Sequence, residues 1–476
     1  MKTVTRWCLT LAPLLLGGCA TFHPQPLSPA HVLASFESRT LNDAALHHYL
    51  DVQLNHAVAW PKRQWDLPSL TLAAFYFHPR LKLARAEWAV AQADVIEAGQ
   101  RPNPDLHFTP QYTANAAATL SPWTLGGLLT FTWETGDKRH LRIRRARDLA
   151  AAAHWKIADT AWHIRSRVRN RLVTLSAAQK QQQLSRHEQK IAAERLALIR
   201  QRLAAGVAAR PALAQAESQW LQSRLALRQN RGKVIMARAA LAQAIGVPAT
   251  ALRGVTLSFP SWDTPPLLAT LPSSAVQQHA LTHRADLLAA LDRYAASQST
   301  LQLAIARQFP DVRIGPGYQW DQGARKWSLG LGFSLPLLNQ QQGNIALARA
   351  RRREAAAHFN LLQAAIIGQL EQARIGYRAA RGELALARAL WRRRRAYQQA
   401  IARQVAIGAA SRLRWLAARH QTLEAAHADI SAVRRAQTAL GKWEDAVQFP
   451  LTSGMPVAIP SKIFRKPRHN PTVGKH

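Results

Sequence analysis

One nine-residue stretch decides the fold of this chain: residues 327–335 read Trp-Ser-Leu-Gly-Leu-Gly-Phe-Ser-Leu. A large apolar side chain stands at every odd-numbered position, whereas the positions between them hold only Ser or Gly. Successive side chains of a β-strand point to opposite faces, so this alternation predicts a strand. One face of that strand would be apolar, and the other would carry only small residues.

Three further segments have the same period of two. Their apolar positions are Val312, Ile314, Pro316, Tyr318 and Trp320, then Leu106, Phe108 and Tyr112, and finally Leu129, Phe131 and Trp133. Strands of about 9–11 residues with one apolar and one polar face are typical of transmembrane β-barrels. The alternative is a soluble sandwich that buries the apolar faces. Pro110 and Pro316 disfavour central strands, and this observation favours the sandwich over the barrel.

Aromatic side chains in a membrane barrel concentrate where the bilayer meets water. The candidates for such a girdle are Tyr112, Trp133, Tyr318, Trp320 and Trp327. Four strands do not close a barrel, because the smallest known barrels have about eight. An open sheet would leave unpaired strand edges in lipid. The sequence therefore predicts that several copies of the chain share one barrel.

The strand segments belong to a unit that occurs twice. Arg101-Pro-Asn-Pro-Asp-Leu106 matches Arg307-Gln-Phe-Pro-Asp-Val312, and further along Phe131 matches Phe333 and Gly206 matches Gly408. The unit is far longer than the 20–50 residues of a solenoid repeat, so the pattern indicates a duplicated half-molecule.

Long helices follow the strands in both copies. Residues 137–205 contain neither Gly nor Pro and are rich in Ala, Arg, Leu and Gln, which predicts one helix of about 100 Å. In the second copy, apolar residues recur every three or four positions: Phe359, Leu362, Ile366, Leu370, Ala373, Tyr377, Ala380, Leu384, Ala387 and Trp391. This spacing predicts a coiled-coil seam. Each helix is interrupted at Gly206 or Gly408 and then resumes, which predicts helical hairpins.

The ends of the chain predict its processing and domain organisation. Residues 1–18 have the features of a signal peptide and end in Leu-Gly-Gly before Cys19, a tetrad that resembles the bacterial lipobox. Cys19 is then the lipidated first residue; the alternative is an ordinary signal peptide with an incidental Cys. The expected domains are a lipid-anchored segment (19–71), a first repeat (72–246) that opens with one helix from Leu72 to Gln100, a Pro-rich linker (247–274), a second repeat (275–446) and a basic tail (447–476).

The composition and the absence of catalytic motifs limit the classes of function that are open to this chain. The chain carries 63 basic against 27 acidic residues, a net charge of +36. Nucleic-acid binding is disfavoured, because the arginines are spread along helical stretches and the chain is exported. A cationic surface near anionic lipid headgroups is favoured; an organism that lives in acid is the alternative explanation. There is no HExxH, P-loop or Cys pair, so we expect no enzyme activity, no cofactor and no metal site.

The chain resembles the outer membrane efflux protein family, the TolC-like channels. The resemblance rests on the duplication, the order of helix, two strands and long helix, and the Gly-marked hairpins. Residues 307–311 (Arg-Gln-Phe-Pro-Asp) and 329–345 are also similar to the CzcC-like heavy-metal subgroup. The resemblance implies a mixed α and β membrane protein. In it, three chains would form a trimeric 12-stranded barrel of four transmembrane strands each, above a long α-helical periplasmic coiled-coil tunnel.

The resemblance also implies a function and partners. The chain would be the outer-membrane channel of a tripartite efflux pump, a passive exit duct for small molecules or heavy-metal ions. It would work as a homotrimer with a periplasmic adaptor protein and an inner-membrane pump of the RND type, in contact with outer-membrane lipid and without nucleic acid. The alternatives are a structural periplasmic coiled-coil lipoprotein without a pore and a type I protein-secretion duct.

Two local sites follow from the resemblance. The hairpin turns at Gly206, Val207, Gly408 and Ala409 resemble the tips where adaptors dock, although each Gly could serve only as a helix C-cap. Relatives commonly place a constricting Asp six residues after the tip Gly, where this chain has Ala212 and Arg414. Arg414, assisted by Arg412, is therefore the candidate for a cationic tunnel constriction. The alternative is that these arginines pair with neighbours or face solvent.

Overall fold

The structure of the protein is a computed structural model that describes residues 22–54, 57–117, 119–267 and 273–451. Cys19, the signal peptide and the tail beyond residue 451 lie outside the described residues, so the predicted lipidation site has no structural account.

The first repeat is preceded by two short helices, α1 (Pro29–Glu37) and α2 (Ala44–Leu54), and by a two-residue strand, β1 (Gln64–Trp65). It then consists of α3 (Leu67–Phe77), α4 (Pro79–Ala98), β2 (Asp105–Tyr112), β3 (Trp123–Trp133), α5 (Lys138–Ala204) and α6 (Arg210–Ile245). The predicted long helix, two strands and returning helix are all present.

The second repeat has the same order of elements. After a short 3₁₀ turn (Ala249–Leu252) and β4 (Thr256–Leu257) come α7 (Ser273–His283), α8 (Ala285–Ala306), β5 (Val312–Asp321), β6 (Ala324–Phe333), α9 (Gln342–Ala406) and α10 (Arg412–Val447). The backbone shows the duplication in detail, because the residues that precede α5 and α9, Asp137 and Gln341, both have left-handed conformations.

The predicted single helix from Leu72 to Gln100 is wrong. Two helices, α3 and α4, meet at His78, which has the extended backbone angles φ −70° and ψ 124°. The cause is Pro79, because a proline disfavours the helical conformation of the residue before it. The His78 ring then caps the new helix, since its Nδ1 accepts a hydrogen bond from the Arg80 N–H at 3.2 Å.

The segments that flank the first repeat pack against its helices. Leu46 and Leu50 of α2 are fully buried in the same apolar cluster as α3. β1 pairs in parallel with β4, which places residues 256–257 beside Trp65. Trp262, within the Pro-rich region, is also buried. These segments pack against the middle of the long helices.

The helices form one layer whose order follows that of the strands. Nearer the sheet, α4 packs on α5, α5 on α8 and α8 on α9; farther away, α6, α5, α10 and α9 are neighbours in that order. The predicted seam of α9 is confirmed, because Ile366, Leu370, Tyr377 and Leu384 are buried. Within the described ranges, no helix is both long and apolar enough to cross a bilayer.

Candidate functional site

The four longer strands form one antiparallel sheet in the order β2-β3-β5-β6. Each repeat contributes one hairpin, and β3 and β5 join the hairpins, with Trp133 opposite Val312 and Thr124 opposite Asp321. The sheet is therefore continuous across the duplication. Its outer strands, β2 and β6, each have one edge without a neighbouring strand among the described residues.

The register places the predicted apolar positions of all four strands on one face. The cross-strand rows are Phe108–Gly127–Tyr318–Trp327, Phe131–Ile314–Leu331 and Trp133–Val312–Phe333, with Leu106 opposite Leu129 and Pro316 opposite Leu329. Side chains in such rows lie side by side on the same face. Trp327 is 81 % exposed and Leu329 is 69 % exposed, so no described part of the chain covers these side chains.

The opposite face carries polar and small residues, in rows such as Thr109–Gly126–Gln319–Lys326 and Thr132–Arg313–Gly332. Leu128 is the apolar exception. A Cβ atom added to Gly315 would lie 3.0 Å from Leu128 Cδ1, and one added to Gly317 would lie 3.3 Å from it. The two glycines thus make room for the one large apolar side chain on the polar face.

The aromatic residues proposed for a girdle lie near both ends of the sheet. Tyr112, Tyr318, Trp320 and Trp327 lie toward the end far from the helices, whereas Trp133 lies at the helical end. Sequence reasoning missed Trp123, whose ring centre is 5.1 Å from that of Tyr112. The signal was available, because Trp123 and Leu125 continue the alternation of β3 before it is interrupted by Gly126-Gly127.

The sheet is tied to the helices by the Pro-Asp pair of the second repeat. Asp311 Oδ1 accepts hydrogen bonds from the Thr135 N–H at 3.1 Å and from Lys138 Nζ at 2.6 Å. Lys138 begins α5 and its side chain is buried, so the ion pair fixes the start of the long helix beside the start of β5.

The two predicted hairpin turns have the same geometry. Gly206 and Gly408 have φ values of 71° and 76°, which favour glycine. After Gly206, the Val207 N–H donates to the Arg202 carbonyl at 2.8 Å; after Gly408, the Ala409 N–H donates to the Gln404 carbonyl at 2.8 Å. These are Schellman caps, which close a helix with a left-handed residue. Among the described residues, a Cβ atom built on either Gly meets no atom within 4 Å beyond its own neighbours in the chain. The need for glycine at both turns is therefore conformational and not steric.

Arg412 and Arg414 lie in the first turn of α10, close to the second tip. Both side chains are exposed, and neither forms an ion pair within the described part of the chain. Leu413, between them, packs against a small apolar cluster of α5 and α6. The Arg414 N–H donates to Ser411 Oγ at 3.3 Å, which caps the helix. Cations at a helix N-terminus oppose the helix dipole, so their position does not serve helix stability.

A buried polar cluster holds α10 against α5 about halfway along α5. Arg165 and Arg169 both contact Glu444 Oε2 at 3.2 Å. Beside them, Asp445 accepts hydrogen bonds from Ser166 and from the Trp162 indole N–H. Burial raises the pKa of Asp445, and these two hydrogen bonds oppose that shift. Burial lowers the pKa of Arg169, whereas the charge of Glu444 raises it.

No cluster of three or more His, Cys, Asp or Glu side chains suited to a metal ion occurs in residues 22–54, 57–117, 119–267 and 273–451. The geometry instead provides an amphipathic sheet at one end and paired helical tips at the other.

Comparisons with known proteins agree with this geometry. The profile of the family described as outer membrane efflux protein matches residues 67–247 and 276–440, more than two thirds of the chain. No curated protein matches the chain in sequence.

Solved structures share the fold at low sequence identity. The outer membrane protein VceC from Vibrio cholerae is 20 % identical, with a TM-score of 0.63 over 80 % of this chain and 95 % of VceC. The Campylobacter jejuni CmeC outer membrane channel is 16 % identical, with a TM-score of 0.66 over 90 % of this chain and 94 % of CmeC. The open state of the Neisseria gonorrhoeae MtrE outer membrane channel is 15 % identical, with a TM-score of 0.63 over 80 % of this chain and 88 % of MtrE. Because the family profile matches more than half of the chain, the chain belongs to the outer membrane efflux protein family.

Proposed function

We propose that three copies of this chain form an outer-membrane channel, the passive exit duct of a tripartite efflux pump. The supporting observation is the sheet, in which one uncovered apolar face runs in register across four strands while the other face is polar. Such a sheet matches a barrel with lipid outside and water inside. Copies that join β2 to β6 would remove the unpaired edges.

The helical body supplies the periplasmic part of the duct. α5 has 67 residues and α9 has 65, so each spans about 100 Å from the sheet to the tips. At the far end, the tips around Gly206–Val207 and Gly408–Ala409 would dock a periplasmic adaptor protein, which connects the channel to an inner-membrane pump of the RND type. Cys19 would anchor the chain to the outer membrane through lipid.

We further propose that Arg414, together with Arg412, forms a cationic ring at the narrowest point of the tunnel. The exposure of both side chains and their lack of an ion pair in the described ranges support this assignment. A ring of positive charge attracts anions and repels cations. Small anionic or neutral molecules are therefore better cargo than free heavy-metal cations.

The decisive experiment is reconstitution of the full chain into planar lipid bilayers. A channel gives discrete conductance steps and a heat-modifiable trimer from outer-membrane fractions. The alternative, a structural coiled-coil lipoprotein without a pore, gives neither. A water-soluble monomer that buries the apolar face of its own sheet would contradict the proposal.

A further inference from the structure

The far ends of the two helical hairpins are free of carboxylates. Residues 195–216 and 384–423, which surround the two tips, contain no Asp, Glu or Lys. They contain four arginines in the first range and nine in the second. We call these two ranges together the arginine tip.

The two ranges lie next to each other in the fold. Arg419 Nη1, in α10, is 3.2 Å from Glu194 Oε2, which immediately precedes the first range in α5. Leu413 packs against the cluster that contains Leu196 and Ile199. The thirteen arginines therefore share one end of the molecule rather than two separate places.

Few of these arginines are neutralised within the chain. Ion pairs join Arg200 to Glu217, Arg388 to Asp429, and Arg419 to Glu194. In the part of the chain that the structure describes, the other ten form no ion pair: Arg195, Arg202, Arg210, Arg392, Arg393, Arg394, Arg395, Arg403, Arg412 and Arg414.

This arrangement is electrostatically unfavourable for an isolated tip. Exposed like charges repel each other within a screening length of about 8 Å at physiological salt, and four of the unpaired arginines are consecutive, from Arg392 to Arg395. A bound surface of opposite charge would relieve this repulsion.

The tip also exposes apolar side chains among these charges. Val207 is 64 % exposed and Ile407 is 80 % exposed, one at each Schellman turn. Apolar contacts surrounded by charged groups are the common composition of a protein–protein interface. Charge complementarity around such contacts accelerates association and selects the partner.

From these observations we propose that the arginine tip docks an acidic protein surface, one that presents an excess of Asp and Glu around small apolar contacts. The proposal rests on the proposed function, because it assigns a chemistry to the adaptor that meets the tips. Lipid of the membrane that holds the sheet is not the occupant, since the 67 residues of α5 separate the tip from the sheet by about 100 Å.

The test uses the full chain in nanodiscs of zwitterionic lipid and two synthetic helical hairpins with one backbone. One hairpin carries Glu at its exposed positions, and the other carries Gln at the same positions. Fluorescence anisotropy measures the affinity of each, and stopped-flow mixing measures association. We expect the Glu hairpin to bind at least about tenfold more tightly, with an association rate that falls as salt is raised.

A matched pair of variants locates the binding surface. The tip variant changes Arg392, Arg393, Arg395 and Arg403 to Gln. The control variant changes Arg145, Arg349, Arg351 and Arg353 to Gln, which removes the same charge from exposed positions near the sheet. The tip variant should lose about tenfold in affinity for the Glu hairpin, and the control should stay within about twofold.

Equal affinity for the two hairpins would overturn the proposal, and so would equal losses of affinity in the tip variant and the control variant. A third result would also overturn it: the tip variant no longer binds phosphatidylglycerol vesicles that the unmodified chain binds, but it still binds the Glu hairpin as before. Conductance of the unmodified chain tests the proposed function separately. A conducting chain that does not distinguish the hairpins contradicts only the acidic partner.

Discussion

Arg169 Nε lies 3.2 Å from Glu444 Oε2, and this ion pair joins the first repeat to the second with both side chains almost completely buried. Arg169 also donates to the Gln437 carbonyl at 2.7 Å. The close approach requires Gly441, because a Cβ atom there would lie 2.5 Å from Arg169 Nη1. The position of α10 against α5, and hence that of the hairpin that ends at Gly408, depends on this cluster.

Glu444→Gln should destabilise the helical body strongly. It removes the carboxylate charge that both Arg165 and Arg169 contact, and breaking a buried ion pair in this way costs about 3–5 kcal/mol. The measurement is thermal unfolding of the detergent-solubilised protein. The control is Glu383→Gln, which removes an exposed partner of Arg435 and should cost less than about 1 kcal/mol. Equal effects of the two substitutions would contradict the structural role of the cluster.

Asp445→Asn should change how stability depends on pH. The folded-state pKa of Asp445 is raised, so the charged carboxylate costs stability at neutral pH, and this cost disappears as pH falls through the raised pKa. The variant lacks this titration. The melting temperature of the variant minus that of the unmodified protein should therefore be larger at pH 7 than at pH 4. A difference that is constant across this range would show that Asp445 does not titrate as proposed.

Gly408→Ala should destabilise the second tip by about 1 kcal/mol. Its positive φ is strained for any residue with a Cβ, although the surrounding space is open. Gly382→Ala in the same hairpin is the matched control, because Gly382 lies inside α9 with open surroundings and should gain about 0.5–1 kcal/mol. Hydrogen exchange of the tip amides measures the effect of Gly408→Ala, and thermal unfolding measures the effect of Gly382→Ala. A stabilising Gly408→Ala would rule out the Schellman cap.

Leu329→Arg should impair insertion into the outer membrane. Leu329 lies at the middle of β6 on the apolar face, where an arginine facing lipid costs about 2–4 kcal/mol. Ser328→Arg places the same side chain on the polar face of the same strand and should insert almost normally. The readout is the yield of heat-modifiable trimer in outer-membrane fractions. Similar losses of trimer in both variants would mean that the apolar face does not contact lipid and the polar face does not contact water.

Arg414→Asp should shift the ion selectivity of the channel from anions toward cations, because it reverses the charge of the proposed ring. Single-channel reversal potentials in a salt gradient measure the shift. Arg353→Asp makes the same charge change near the sheet and serves as the control. Unchanged selectivity in Arg414→Asp would exclude it from the constriction.

Periodic features of this protein were predictable from sequence because each depends on local geometry. Alternation in residues 327–335 predicts β6, whose observed range is Ala324–Phe333; Leu335 lies beyond it, next to Pro336, which is a poor strand residue. The absence of Gly and Pro predicts α5 to within a residue or two of its ends. The prediction of one helix from Leu72 to Gln100 overlooked the break at His78, although Pro79 disfavours the helical conformation there.

The sequence by itself thus determined the duplication, the two-faced strands, the long helices and the glycine turns, since all of these are set by side-chain spacing along one segment. Tertiary structure alone decided which strands are neighbours, how the apolar positions of four strands align on one face, and that Arg169 meets Glu444. Those contacts join residues far apart in the chain, and no local period encodes them, because they depend on how whole helices and strands pack.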